Sequence, residues 1–167
     1  MRAKKKGREM FRPLRRQNRA IKEEEAKELL FQGKRGVLAV NGDDDYPFAF
    51  PVDYYYDRAE EKIYFHGAKA GHKVDSLKKS DKVCFTVYGN EHYKEGEWAP
   101  YVQSTVVFGR CHLIDDAKET EDRVRELARK YYPNEEEIEA EIARDIKAAQ
   151  LYEICIEHLT GKQIKEK

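Results

Sequence analysis

Residues 36–66 read Gly36-Val-Leu-Ala-Val-Asn-Gly-Asp-Asp-Asp45-Tyr-Pro-Phe-Ala-Phe50-Pro-Val-Asp-Tyr-Tyr-Tyr-Asp57-Arg-Ala-Glu-Glu-Lys62-Ile-Tyr-Phe-His66. Residues 36–40, 48–57 and 62–66 are rich in β-branched and aromatic side chains, which suit a half-buried pleated surface. Asn41-Gly42 with three aspartates makes one turn, and residues 57–61 make the next. Links this short join antiparallel neighbours, because a parallel crossover needs a dozen residues or more. Strand chemistry returns at residues 82–88, 104–114 and 151–158. Six strands, mostly antiparallel, with helices confined to insertions, do not make a doubly wound sheet. The sequence predicts a mainly β chain with flanking helices, its six-stranded antiparallel sheet closed or nearly closed into a barrel.

The helices lie between and before these strands. Ile21, Ala26, Leu29 and Leu30 give a short helix with Glu23, Glu24 and Glu25 in its first turn, and Gly33 stops it. Gly67-Ala-Lys-Ala-Gly71 precedes another, with Val74 and Leu77 on one face. A helical insertion at about 117–149 holds two more. Val124, Leu127, Ala128 and Tyr131 share a face of the first, which Pro133 ends. Asn134 caps the second, with Glu137 three residues on and Ile138, Ile142 and Ile146 at helical spacing. Residues 20–167 form one domain, preceded by a basic flexible arm over residues 1–19.

Composition narrows the function classes. Thirty-two basic residues balance 32 acidic ones among the 167. Nine of the basic residues fall in the first 19, against Glu9 alone, so a basic arm precedes an acidic body. That acidic body, and an arm without interleaved aromatics, argue against a nucleic-acid partner. No run of 18 apolar residues is present, and the start lacks the apolar stretch of a signal peptide, so the expected location is cytoplasmic, with no membrane partner. Cys84, Cys111 and Cys155 are odd in number and far apart, which suits reduced, buried thiols that pack as small hydrophobes. No Cys/His pair has metal-ligand spacing, so no metal site is expected. There is neither a Walker loop nor a GxGxxG motif.

Three stretches could carry chemistry. Pro51 inside a strand cannot donate to the ladder, so pairing should break there. This marks either a bulge or edge strand, or backbone groups freed to face a flat polar ring. The stretch Ile63-Tyr-Phe-His66-Gly67-Ala-Lys69-Ala-Gly71-His72-Lys73 empties a strand into a small-residue loop and starts a helix. A helix N-terminus with basic side chains binds phosphate readily, although an ordinary turn with solvated lysines has the same composition. The third is Trp98-Ala-Pro-Tyr101-Val-Gln103-Ser104, where Gln103 and Ser104 either begin a strand or reach across an interface.

In order and spacing these stretches resemble the FMN-binding split-barrel superfamily that includes pyridoxamine-5'-phosphate oxidase, more narrowly its 5-nitroimidazole-resistance branch. The likeness runs from about residue 20 to residue 162. It is carried also by Gly36-Val-Leu-Ala, Lys82-Val-Cys-Phe-Thr-Val, Ser104-Thr-Val-Val-Phe-Gly and Ile156-Glu-His-Leu-Thr-Gly-Lys162. The resemblance implies a six-stranded split β-barrel that pairs as a homodimer, with FMN in the grooves between subunits. It places Pro51, Val52 and Asp53 along the isoalloxazine edge, and His66 and Gly67 beside the ribityl chain or ring. His72 and Lys73 would hold the phosphate, and Gln103 and Ser104 would approach from the other subunit. Trp98 and Tyr101 would line the substrate side. The flavin does the chemistry in such proteins, so no side-chain nucleophile is expected. The implied activity is an FMN-dependent oxidoreductase that takes electrons from NAD(P)H and reduces a small, nitroaromatic-like acceptor. The segment from His158 to Lys167 lacks the Arg-rich pattern of true pyridoxamine-phosphate oxidases, so vitamin B6 oxidation is not expected. The alternative is a non-catalytic module that holds flavin or haem, with His66, His72, His92, His112 and His158 as the histidines available for haem; in some relatives of this fold a deazaflavin replaces FMN.

Overall fold

Each stretch of strand chemistry forms a strand in the computed structural model, which describes residues 11–166. The strands are β1 (Arg35–Asn41), β2 (Pro47–Asp53), β3 (Tyr55–Asp57), β4 (Lys62–Ala68), β5 (Lys82–His92), β6 (Tyr101–Ile114) and β7 (Ala149–Lys165). They make one antiparallel sheet in the order β2-β1-β5-β6-β7-β4-β3. There are seven strands rather than six because residues 48–57 break at Tyr54. β2 and β3 are the two outermost strands, yet only Tyr54 separates them in the chain. The sheet must therefore curl until its two edges meet at that residue, and this is what makes it a split barrel.

Tyr54 fills the seam. It is fully buried, its ring meets Phe85 edge-on at 4.9 Å between centroids, and its hydroxyl donates to the Leu30 carbonyl at 2.6 Å. Alternation along the strands turns Leu38, Ile63, Phe65, Val107 and Ile154 inward. Helices α1 (Glu23–Gln32) and α2 (His72–Lys79) cover the openings with Leu29, Leu30, Val74 and Leu77.

Helices α3 (Ala117–Tyr131) and α4 (Glu135–Asp145) pack on each other through Val124, Ile138 and Ile142. The Asn134 side chain accepts from the amides of Glu136 and Glu137, the N-cap expected there. The last turn of α3 grips the seam. Tyr131 Oη accepts from Tyr54 N at 2.8 Å, and Lys130 Nζ donates to the carbonyls of Tyr54 (3.2 Å) and Gly33. Burial pulls the Lys130 ammonium down to about 8, against 10.5 for a free lysine. Between these values the unfolded chain binds more protons than the folded one, so this residue's contribution to stability rises with pH across that window. Denaturation of wild type and Lys130→Met should show a stability difference that is flat below pH 8. It should then move in favour of the wild type up to about pH 10.5; a difference flat throughout would refute the assignment.

Three local expectations change. The β1–β2 ladder runs unbroken through the Val37–Pro51 pair, because β2 is an edge strand where a missing donor is tolerated. Of the cysteines only Cys111 is buried. Cys84 and Cys155 are half-buried because the alternation turns them to the outer face of the sheet. Residues 1–10 of the basic arm lie outside the described residues. Beyond them Phe11 stacks on His158 at 4.8 Å, and Ala20 bridges to Lys162 of β7. Among the described residues no helix is long and apolar enough to cross a membrane.

Candidate functional site

The end of β4 and the start of α2 build the most chemically suggestive neighbourhood. Gly71, at φ +118°, adopts a backbone conformation that side chains rarely permit, and it leads directly into α2. It offers no capping side chain, and the Asp75 amide is the first to bond back, to the Gly71 carbonyl at 3.1 Å. The amides of the first turn are thus left for another acceptor at the positive end of the helix.

Lys73 stands in that first turn. Its ammonium lies 5.3 Å from the Phe50 ring centroid, 5.6 Å from Phe65 and 5.1 Å from Tyr152. Phe65 and Tyr152, paired across β4 and β7, stack at 4.6 Å and floor the site. Gly67 is small because a Cβ there would come within 2.6 Å of Lys73 Nζ. Burial lowers the Lys73 pKa, opposed only by the nearby Cys111 thiol, which burial itself pushes up to about 12. Among the described residues no carboxylate pairs with Lys73. A half-buried cation so placed is stabilised by any anion that reaches it.

A cleft of about 440 Å³ opens at the end of β4 on the face to which His66 points. Asp53, His66 and Gly67 line one side; the apolar faces of α3 and α4, including Leu127 and Ile142, line the other. His66 is exposed to the cleft yet crowded by it. Desolvation holds its imidazole below the usual range, against the opposing pull of Glu141 and Asp53. Asp53 pairs with Arg35 at 3.3 Å, Pro51 is exposed on the free edge, and Val52 points into the core. The structure therefore brings Asp53, His66 and Gly67 together against an apolar helical wall, while Lys73 lies across β4 among the inward-facing rings of Phe50, Phe65 and Tyr152; Gly67 is the residue the two places share.

Other residues singled out in the sequence sit differently. His72 turns to Asp43 (3.3 Å) and stacks on Phe48 at 4.1 Å. Gln103 is buried on the inner side, accepting from Asn90 at 2.7 Å and donating to Gln163 at 3.2 Å, whereas Ser104 faces outward opposite Tyr88. Trp98 is 79% exposed in the β5–β6 loop. Tyr101 bonds Glu97 at 3.0 Å and has the Lys94 ammonium over its ring. Neither Trp98 nor Tyr101 lines the cleft. Of the five histidines only His66 does. The α3–α4 wall leaves no mark of a site in the sequence, because an apolar helical face has the same pattern whether it covers a core or a cleft.

The family model for pyridoxamine 5'-phosphate oxidase matches residues 22–163. Among solved structures, a proposed 5-nitroimidazole antibiotic resistance protein from Bacteroides thetaiotaomicron superposes with a TM-score of 0.71 at 16% identity, covering 86% of this chain and 85% of that one. A FAD-binding protein from Mesorhizobium loti gives 0.63 at 20% identity, covering 87% and 97%. A flavocytochrome from Azotobacter vinelandii gives 0.72 at 18% identity, covering 93% and 75%. No curated protein matches the sequence.

Proposed function

The chain belongs to the pyridoxamine 5'-phosphate oxidase family, and from that premise we propose that it binds FMN and acts as an NAD(P)H-dependent oxidoreductase on a small, nitroaromatic-like acceptor. The observation that carries the reading is Lys73, a half-buried ammonium without a carboxylate partner among the described residues, at the open N-terminus of α2. The fit extends to its surroundings. Lys73 and the first-turn amides of α2 would hold the phosphate, with His72 beside them. Gly67, whose missing Cβ makes room for the Lys73 ammonium, and His66 would lie beside the ribityl chain. The edge 51–53 would face the polar side of the ring. A bound flavin would supply the electron transfer; the chain's residues position it and exclude water.

The outer face of the sheet supports a second copy. The register places Pro51 beside Val37, Val37 beside Thr86 and Thr86 beside Val106. Ala39, Cys84 and Phe108 form the adjoining row. Val37 and Phe108 remain 41% and 39% exposed even with Phe11 stacked on Phe108 at 5.6 Å, and rows that are apolar but for Thr86 across four strands make a surface that proteins cover. Ser104 lies on the same face, where it would reach the partner's groove. The mesorhizobial FAD-binding protein and the flavocytochrome share this fold, which is compatible with a flavin in it.

The test is the visible spectrum and sedimentation of purified protein. The expected result is a two-band flavin spectrum, release of FMN on denaturation, and a dimer. Val37→Glu should give a monomer that has lost the flavin. Colourless protein indifferent to added FMN would overturn the reading, and a flavin-loaded monomer would overturn the shared groove.

A further inference from the structure

On the outer face of the sheet, among residues that do not line the cleft, three donors from two neighbouring strands converge. His112 of β6 lies opposite Glu153 of β7 in the register, and Cys155 is two residues further along on the same face. Cys155 Sγ is 3.3 Å from Glu153 Oε1, His112 Nδ1 is 3.8 Å from that oxygen, and Nδ1 and Sγ are 4.0 Å apart. A tetrahedral ion with bonds of about 2.0–2.3 Å sets its ligand atoms roughly 3.3–3.8 Å apart. The triangle here matches to within about half an ångström, the two distances to His112 being the long ones.

The surroundings organise one oxygen of Glu153 and leave the other free for a metal. Oε2 accepts from Lys62 Nζ and from the buried Tyr64 hydroxyl, both at 3.0 Å. Oε1 is held only by the Cys155 thiol, which donates to it, and by the approach of His112. A ligating carboxylate fixed through its second oxygen is the outer-shell pattern of metal centres. Nearby Arg110 is already neutralised by Asp81 and Glu157, at 3.0 and 2.8 Å.

The geometry points to a binding site for a borderline-soft divalent cation, Zn(II), with His112 Nδ1, Glu153 Oε1 and Cys155 Sγ as ligands and solvent in the fourth position. Thiolate and imidazole select Zn(II) over Mg(II) or Ca(II), which take oxygen ligands. On binding, the sulfur–metal bond forms as the thiol proton, now shared with Glu153, leaves to solvent. Thiolate and carboxylate then neutralise the ion's two charges. No residue of the flavin reading takes part.

Co(II) titrated into the full-length protein tests this, read as difference spectra against the same sample without metal. The expected result is a near-ultraviolet thiolate-to-cobalt charge-transfer band, with visible bands of a four-coordinate ion, displaced by Zn(II). Cys155→Ser should abolish the charge-transfer band, and Cys84→Ser should keep it. His112 is exposed, so His112→Ala should fold. It should weaken Zn(II) by more than the about 10–100-fold that loss of an outer-shell partner costs, and it should lose the rise in melting temperature that Zn(II) gives the wild type. No band in the wild type, the same band in Cys155→Ser, or an equal Zn(II) shift in His112→Ala would each overturn the site. None of these outcomes depends on whether flavin binds.

Discussion

Lys73→Glu is expected to weaken FMN by roughly 100-fold or more and riboflavin by no more than a few-fold. The two ligands differ only in the phosphate, so their ratio isolates the anion seat from everything the ring contributes. A charge-assisted hydrogen bond is worth about 1.5–3 kcal/mol, and each 1.4 kcal/mol is about tenfold in affinity. Reversal of charge adds repulsion in a half-buried place. Phe50, Phe65 and Tyr152 surround the ammonium, so a carboxylate there also tests the fold. Lys73→Met, which keeps the stem and removes the charge, serves as the second variant, with the same ligand ratio expected at smaller amplitude. Fluorescence quenching of each flavin on titration gives both constants. Equal losses for FMN and riboflavin would show that Lys73 holds no phosphate.

Tyr54→Ala should destabilise the chain by about 3–5 kcal/mol, the range for removing a fully buried aromatic. The position is demanding because Tyr54 is the single residue between the two edge strands. Its ring packs on Phe85, and its hydroxyl satisfies the Leu30 carbonyl. Tyr54→Phe keeps the ring and strands that carbonyl, so about 1–3 kcal/mol is expected. Urea denaturation measures both. A cost below about 1 kcal/mol for Tyr54→Ala would mean that the seam is held elsewhere, with Lys130 and Tyr131 of α3 the first candidates.

The strands were legible because their chemistry is local. Residues 36–40 alternate inward and outward, and the first turn carries Asn41-Gly42 with three aspartates, the second Asp57 and two glutamates. Asn134 was legible as a cap for the same reason, its side chain needing only the amides two and three residues on. The break at Tyr54 was not legible, because a strand that changes partners looks, residue by residue, like one that continues. The orientation of Gln103 was hidden likewise: its partners Asn90 and Gln163 come from two other parts of the chain.

What the sequence determined by itself was therefore the set of elements, their antiparallel linkage and the loop Gly67–Gly71 feeding the first turn of α2. Turn chemistry, alternation and helix capping act within a few residues, so they can be read in order along the chain. Only the tertiary structure decided that the sheet closes at Tyr54 and that α3 and α4 wall the cleft beside His66. It also set His112, Glu153 and Cys155 around one point. Each of these rests on residues far apart in the chain, brought together by strand register and by burial of the inner face, which no spacing in the sequence records.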